Sequence, residues 1–297
     1  MAEGPVDSRP IAITGASGFI GRALTAHLRR SGHNVRAITR SGARLDDDRV
    51  STHPIDDYKS TEALIEAIQG CRCVVHLADQ PDRKAYTQTN MGDAAIVAAS
   101  LAKAMDATGV AHLVAISSIY ATASATGVVT PYGSSKYLME SALFEEPGMA
   151  GRTIILRLPP VYGPGSKGAL AKLAQFVRWH VPLPFASATA PRPLLAVANL
   201  NSLIETIANS DGEQWQRGAG KIYSPSDAAP VNLATLVRMI GSATGRRALL
   251  IPVPGIDRFI GKPIDAWSGP RSGRLDEDFG WIAPYGPPGT LAYLGQP

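Results

Sequence analysis

The sequence predicts an α/β fold in which a doubly wound parallel sheet is followed by a smaller, mostly helical region. Three observations predict it. Short β-branched runs alternate with helix-period patterns through the first half of the chain. The first of those runs ends in a glycine-spaced turn that opens a helix. After Pro159 the texture changes: Pro and Gly become frequent, and irregular stretches separate the remaining helical patterns.

The elements follow in order. Residues 10–14 are expected as a strand, and residues 19–30 as a helix with Ile20, Ala23, Leu24 and Leu28 on one face. Residues 34–39 give a second strand and residues 61–69 a helix. Residues 72–77 read as a strand buried on both faces, as in a parallel sheet. A long helix over residues 90–108 precedes a strand over 110–117, a helix over 132–144 and a strand over 153–158. This rhythm is that of a Rossmann-like dinucleotide-binding domain, placed at residues 9–165. Residues 166–297 form the second region, expected to bind substrate and close over the sheet, with helices at 168–179, 199–208 and 231–241. From Asp257 onward periodicity is weak.

Composition narrows the class. With 297 residues, 45% hydrophobic and 18% charged, the chain has the make-up of an ordinary globular protein. Its net charge of +4 comes with no Lys/Arg run longer than a pair, which excludes a nucleic-acid footprint and suits an anionic small ligand. Cys71 and Cys73 lie too close in sequence for a disulfide framework and read as packed thiols. Residues 1–9 are polar and acidic rather than basic-then-apolar, unlike a signal peptide. The apolar stretches are too short to span a bilayer, so a cytoplasmic location and no membrane partner are expected. The six histidines lack ligand spacing, so no metal site is expected.

The turn after the first strand is Thr14-Gly15-Ala16-Ser17-Gly18-Phe19-Ile20-Gly21. Gly15 allows a sharp turn, Gly18 lets backbone approach a pyrophosphate, and Gly21 lets helix and strand pack closely. The helix start at Phe19 and Ile20 supplies amide donors and a positive dipole to an anion. About twenty residues on, an acid would accept from the ribose 2′-hydroxyl of NAD. Arg40 stands there instead, and with Arg22 it suits the 2′-phosphate of NADP; the alternative is that both are solvated surface arginines.

The strand over 110–117 runs into Ser117-Ser118, and Tyr132-Gly133-Ser134-Ser135-Lys136 follows. Tyr132 and Lys136, four apart on a helix, share one face. Lys136 is then placed to stabilise the Tyr132 phenolate and to hold a cofactor ribose, making Tyr132 an acid/base. Ser118 would orient the substrate oxygen. Taken singly, a Tyr-x-x-x-Lys spacing is usually a helix surface.

The order of these motifs resembles that of the extended short-chain dehydrogenases/reductases, the NAD-dependent epimerase/dehydratase family, in its nucleotide-sugar 4-epimerase and 4-ketoreductase branch. Four signatures carry the resemblance: residues 14–21, Val74-Val75-His76-Leu77-Ala78 with Asn90, Tyr132–Lys136, and the stretch from Leu156 to Gly165. The resemblance implies that Leu77 and Ala78 border the cofactor and that Pro159, Pro160 and Val161 line the nicotinamide side. It also implies that His76 packs beneath the cofactor. Arg192-Pro193-Leu194-Leu195-Ala196-Val197-Ala198-Asn199-Leu200 is similar to a segment whose arginine meets nucleotide-sugar phosphates, so Arg192 inherits that role by analogy. Ala196 and Asn199 stand where the family carries His and Asp, and segments 79–85 and 119–131 are short. A homodimer built from the helices at 90–108 and 132–144 is implied as well.

The expected activity is therefore hydride transfer between a sugar carbon of a nucleotide-sugar and NADP or NAD, with Ser118, Tyr132 and Lys136 as the site. An NADPH-dependent carbonyl reductase of a non-nucleotide substrate is the alternative, and a non-catalytic NADP-binding regulator a third.

Overall fold

The computed structural model describes residues 7–40, 45, 48–80, 85–121, 130–227, 230–260 and 273–295. Its central sheet has seven strands. They are β1 (Ile11–Thr14), β2 (Val35–Thr39), β3 (Val50–Pro54), β4 (Cys73–His76), β5 (His112–Ser118), β6 (Thr153–Leu158) and, from far along the chain, Ile222–Tyr223. The sheet order is β3-β2-β1-β4-β5-β6 followed by Ile222–Tyr223. The pairs β1–β2, β1–β4, β2–β3 and β4–β5 are parallel, as is that of β6 with Ile222–Tyr223. The chain winds outward one way from β1 and the other way from β4, so the order reverses between those two strands. Ligands of such sheets bind beyond the carboxyl ends of the strands at that reversal.

Helices α1 (Phe19–Arg30), α2 (Thr61–Ile68), α3 (Asp93–Thr108) and α4 (Pro131–Glu145) link the strands. Their ends follow from local chemistry. Ser60 accepts from the Ala63 amide at 3.2 Å to start α2, and Thr130 accepts from Gly133 at 3.0 Å to start α4, with Pro131 in its first turn. Gly109, at φ 70°, closes α3 in the left-handed conformation. One core cluster joins Ile38, Ile68, Leu101, Met105, Leu113 and Ile155, drawn from three strands and two helices.

Two strands of the central sheet were not expected. β3 buries only Val50 of its five residues and sits at the sheet edge, so it carries no apolar alternation. Ile222–Tyr223 is too short to show any period. Its place in the sheet changes the division of the chain. The first compact unit comprises Met1–Arg157, Leu203–Tyr223 and Arg271–Trp281; the second comprises Leu158–Ser202, Ser224–Pro270 and Ile282–Pro297. The units are interleaved, in place of the consecutive segments 9–165 and 166–297.

Within the first unit the returning segment is held by specific contacts. Glu205 accepts from His27 at 2.7 Å and His33 at 3.1 Å, and Arg72 bonds the Ala208 carbonyl and, at 2.8 Å, the Asn209 side chain. Both histidines hold the Glu205 carboxyl below the usual range. Trp215 stacks on His112 with ring centroids 3.8 Å apart. The second unit has its own core, with Leu170, Ala174, Leu183, Val237 and Ile240 packed together. Its strands are two residues long: Val161 pairs with Leu195 in parallel, and Arg192 with Val231 antiparallel.

Candidate active site

The glycine turn is shaped by what lies beside it. Gly15 has φ +69°, and a Cβ there would lie 2.9 Å from both Cα and N of Ala78, beyond the end of β4. Only glycine lets the first turn sit against the fourth strand. A Cβ on Gly21 would approach the Gly15 carbonyl oxygen to 2.4 Å and Ala16 Cα to 2.6 Å. The close approach expected at Gly21 is thus helix against turn rather than helix against strand. Gly18 is exposed and no side chain caps α1. The first-turn amides beside Ser17, Phe19 and Ile20 therefore point to an uncapped, positive helix end. These residues fit a dinucleotide pyrophosphate: the cradle takes glycine alone, and the amides lack a side-chain acceptor.

Two side chains to which the sequence reading gave no role hold this turn. Tyr58 Oη accepts from the Gly15 amide at 3.1 Å and donates to the Ile38 carbonyl at 3.0 Å. Burial raises the Tyr58 hydroxyl above its ordinary value, with the Arg40 charge opposing. Arg40 is exposed at the carboxyl end of β2, and the exposed Arg22 donates to the Ser17 carbonyl at 2.8 Å. Ser41 and Gly42, which follow Arg40, lie outside the described residues.

Thr14 is the second group. Its hydroxyl oxygen accepts from the Leu77 and Ala78 amides, each at 3.1 Å, which leaves its proton for His76 Nδ1 at 2.9 Å. His76 is therefore neutral with its proton on Nε2. Burial, assisted by the Lys136 charge and opposed by Asp79, pushes its pKa down to about 4.

Ser118 is the buried last residue of β5, and its Oγ accepts from the Tyr120 amide at 3.3 Å. Ser117 turns the other way, bonding Glu140, which Arg157 grips at 2.6 and 2.9 Å. Tyr132 is half-buried near the start of α4, between the ring edges of Tyr86 at 5.3 Å and Tyr120 at 6.0 Å. One turn on, Lys136 is buried; its Nζ lies 2.5 Å from Asp79 Oδ2 and donates to the Ile116 carbonyl at 3.3 Å. Asp79 was not singled out in the sequence, although it directly follows the His76-Leu77-Ala78 signature. Segments 81–84 and 122–129, parts of the two short stretches noted earlier, lie outside the described residues.

In the second unit Pro159 is buried, Pro160 exposed and Val161 half-buried. The Pro160 carbonyl accepts from Leu195 at 3.2 Å. Asn199 has a structural task. It donates to Asp227 at 2.7 Å and to the Tyr285 carbonyl at 2.9 Å, while Tyr162 Oη reaches the other oxygen of Asp227 at 2.7 Å. Burial keeps the Tyr162 hydroxyl protonated far above its ordinary range. Arg192 is half-buried; its Nη2 donates to the Ile260 carbonyl at 2.8 Å, and its buried Nε has no partner. An unpaired buried guanidinium donor fits an anionic ligand.

Among the described residues no group of three His, Cys, Asp or Glu is placed to hold a metal, and no helix is long and apolar enough to cross a membrane. Cys71 and Cys73 are free and buried.

Comparisons with known proteins follow the same lines. A model of the NAD dependent epimerase/dehydratase family matches residues 11–216. A UDP-glucose 4-epimerase of Vibrio cholerae is 28% identical over 268 residues, covering 83% of this chain and 79% of the relative. The fold is shared with a Thermotoga maritima UDP-glucose 4-epimerase solved with UDP-glucose, at TM-score 0.73 and 18% identity over 97% of both chains. It is also shared with a Bacillus anthracis dTDP-glucose 4,6-dehydratase solved with NAD, at TM-score 0.72 and 16% identity over 97% and 96% of the two chains.

Proposed function

The chain belongs to the NAD dependent epimerase/dehydratase family and is an enzyme of the short-chain dehydrogenase/reductase type, and from that premise we propose that it oxidises or reduces a nucleotide-sugar at Ser118, Tyr132 and Lys136. The observation that carries this reading is the buried Lys136 ammonium, fixed one helical turn from Tyr132 beside the switch point of the sheet.

A bound nicotinamide ring supplies reversible hydride transfer. The protein's own groups do the rest. Ser118 donates to the sugar oxygen and fixes its direction. Tyr132 Oη takes the hydroxyl proton on oxidation and returns it on reduction. Lys136 holds the ribose and stabilises the phenolate. Gly15, Ser17, Gly18, Phe19, Ile20 and Gly21 would receive the pyrophosphate, with Leu77 and Ala78 bordering the cofactor. Arg40, exposed where a 2′-hydroxyl-binding acid would stand, favours NADP over NAD. Arg192 meets the substrate diphosphate, and residues 158–202 around it contain no Asp or Glu. We place the enzyme in the cytoplasm as a homodimer through α3 and α4, which leave Ile96 and Tyr137 exposed.

Tyr132→Phe tests the assignment. It keeps the ring packing and removes the proton carrier, so turnover falls about 10²–10⁴-fold while dinucleotide affinity stays. Near-native turnover in this variant contradicts the site.

A further inference from the structure

The mechanism above leaves one charged group beside Lys136 without a task. Asp79 follows β4, with its side chain 22% exposed, and its Oδ2 faces the Lys136 ammonium at 2.5 Å. We propose that Asp79 is a positioning residue that fixes Lys136 and, by offsetting its charge, sets the pH range in which Tyr132 moves its proton. This inference rests on the assignment of Tyr132 and Lys136 made above.

The hydrogen-bond inventory supports it. A lysine ammonium has three donors. Asp79 takes one, the Ile116 carbonyl takes a second at 3.3 Å, and one remains for a ligand hydroxyl. A lysine stem left unheld swings a strongly hydrated charge through many rotamers. Here both protein partners fix it, so the remaining donor has a set direction. The carboxylate is itself anchored, since its Oδ1 accepts from the Gln80 amide at 2.8 Å and from the Tyr86 hydroxyl. The Tyr86 ring then lies edge-on to Tyr132 at 5.3 Å. One carboxylate is thereby fastened to the lysine and to a wall of the tyrosine's own pocket.

Among the described residues, the titratable groups around this centre besides Asp79 are Lys136 and Tyr132 from α4, His76 from β4, Tyr86 from the segment before α3 and Tyr120 from the segment after β5. His76 is neutral near physiological pH. Among the described residues the local charge is therefore one ammonium and one carboxylate. Such a pair acts on Tyr132 as a short dipole, whose field is weaker than that of a lone cation. Removing the carboxylate's charge leaves the full cation, which favours the phenolate and attracts an anionic dinucleotide.

The test is Asp79→Asn in the full-length protein, because asparagine keeps an acceptor for Lys136 and loses the charge. The limb of the kcat/KM profile that reports the working acid/base moves to lower pH by about one unit. NADPH, titrated by fluorescence without turnover, binds about three- to tenfold tighter at low salt, and the gain fades at high salt. Asp79→Glu restores both the wild-type profile and the wild-type NADPH affinity. Should Asp79→Asn fail to fold, Asp79→Ser carries the same comparison. Superimposed profiles with unchanged binding, or weaker dinucleotide binding in the charge-neutral variant, overturn the proposal. If Tyr132→Phe keeps its turnover, the catalytic assignment falls, while the salt-dependent NADPH-binding effect still reports on Asp79. If Tyr132→Phe is inactive and Asp79→Asn is silent, the inference about Asp79 falls alone.

Discussion

In the sheet unit twenty Lys and Arg face twenty-two Asp and Glu, whereas in the second unit nine face three. The same contrast runs through their buried polar groups. The sheet unit closes its charges on one another: Glu140 with Arg157 and Ser117, Asp79 with Lys136, Glu205 with two histidines. In the second unit the buried Asp227 is answered by neutral donors from Tyr162, Asn199 and the Ala196 amide, and Arg192 keeps an unpaired Nε. The sheet unit balances most of its charge internally, although Arg72 Nε is buried without a partner there, as Arg192 Nε is in the second unit. The second unit carries an excess of positive charge that a diphosphate would answer. That difference supports the proposal that the substrate phosphates meet the second unit.

The largest expected effect breaks the closed side of this comparison. Glu140→Ala leaves the buried Arg157 guanidinium without its carboxylate and Ser117 without its acceptor. Removing one partner of a buried pair costs about 3–5 kcal/mol. Urea denaturation of the two proteins at neutral pH reads it as a lower midpoint with an unchanged slope. An unchanged midpoint would mean that the sheet unit does not depend on its internal charge closure.

A smaller effect comes from His76, buried neutral with its pKa pushed down to about 4. The unfolded chain binds this proton near pH 6.5, and the folded one does so only near 4. The stabilisation is complete above about pH 6.5 and is lost as pH falls toward 4, where both states are protonated. At about 1.4 kcal/mol per pH unit the window amounts to roughly 3 kcal/mol. Urea midpoints between pH 4 and 8 check the slope, and His76→Asn, which does not titrate, flattens it over that range.

The two units also differ in how far the sequence reveals them. Helix α1 occupies residues 19–30 as expected, because its apolar stripe and the turn before it are local features. The same holds for β6 at residues 153–158, whose Ile154-Ile155-Leu156 core is a local apolar signal. The candidates Ser118, Tyr132 and Lys136 rest on spacing along one strand and one helix, which a sequence displays. Tyr58, Thr14 and Asp79 could not be found that way. Their roles arise from contacts across forty to sixty residues of chain, such as Gly15 with Tyr58, Thr14 with His76 and Asp79 with Lys136. The second unit's strands are two residues long, below any readable period, and it takes residues from three separate stretches. The replacement of an expected aspartate by Asn199 looked like a departure in the substrate motif. In the structure Asn199 ties Asp227 to the backbone at Tyr285, a task that its neighbours in sequence do not announce.

Binding of UDP and of NADPH, measured by calorimetry on the wild type and on Arg192→Ala, tests the division of labour most directly. A hydrogen bond to a charged group contributes about 1.5–3 kcal/mol. UDP is therefore predicted to bind the wild type and to weaken roughly ten- to 150-fold in Arg192→Ala, with NADPH affinity the same in both proteins. A wild type that fails to bind UDP or dTDP at millimolar concentration, or an Arg192→Ala variant that binds UDP as well as the wild type, contradicts the account. The first of those results hands the site to a carbonyl reductase of a non-nucleotide substrate.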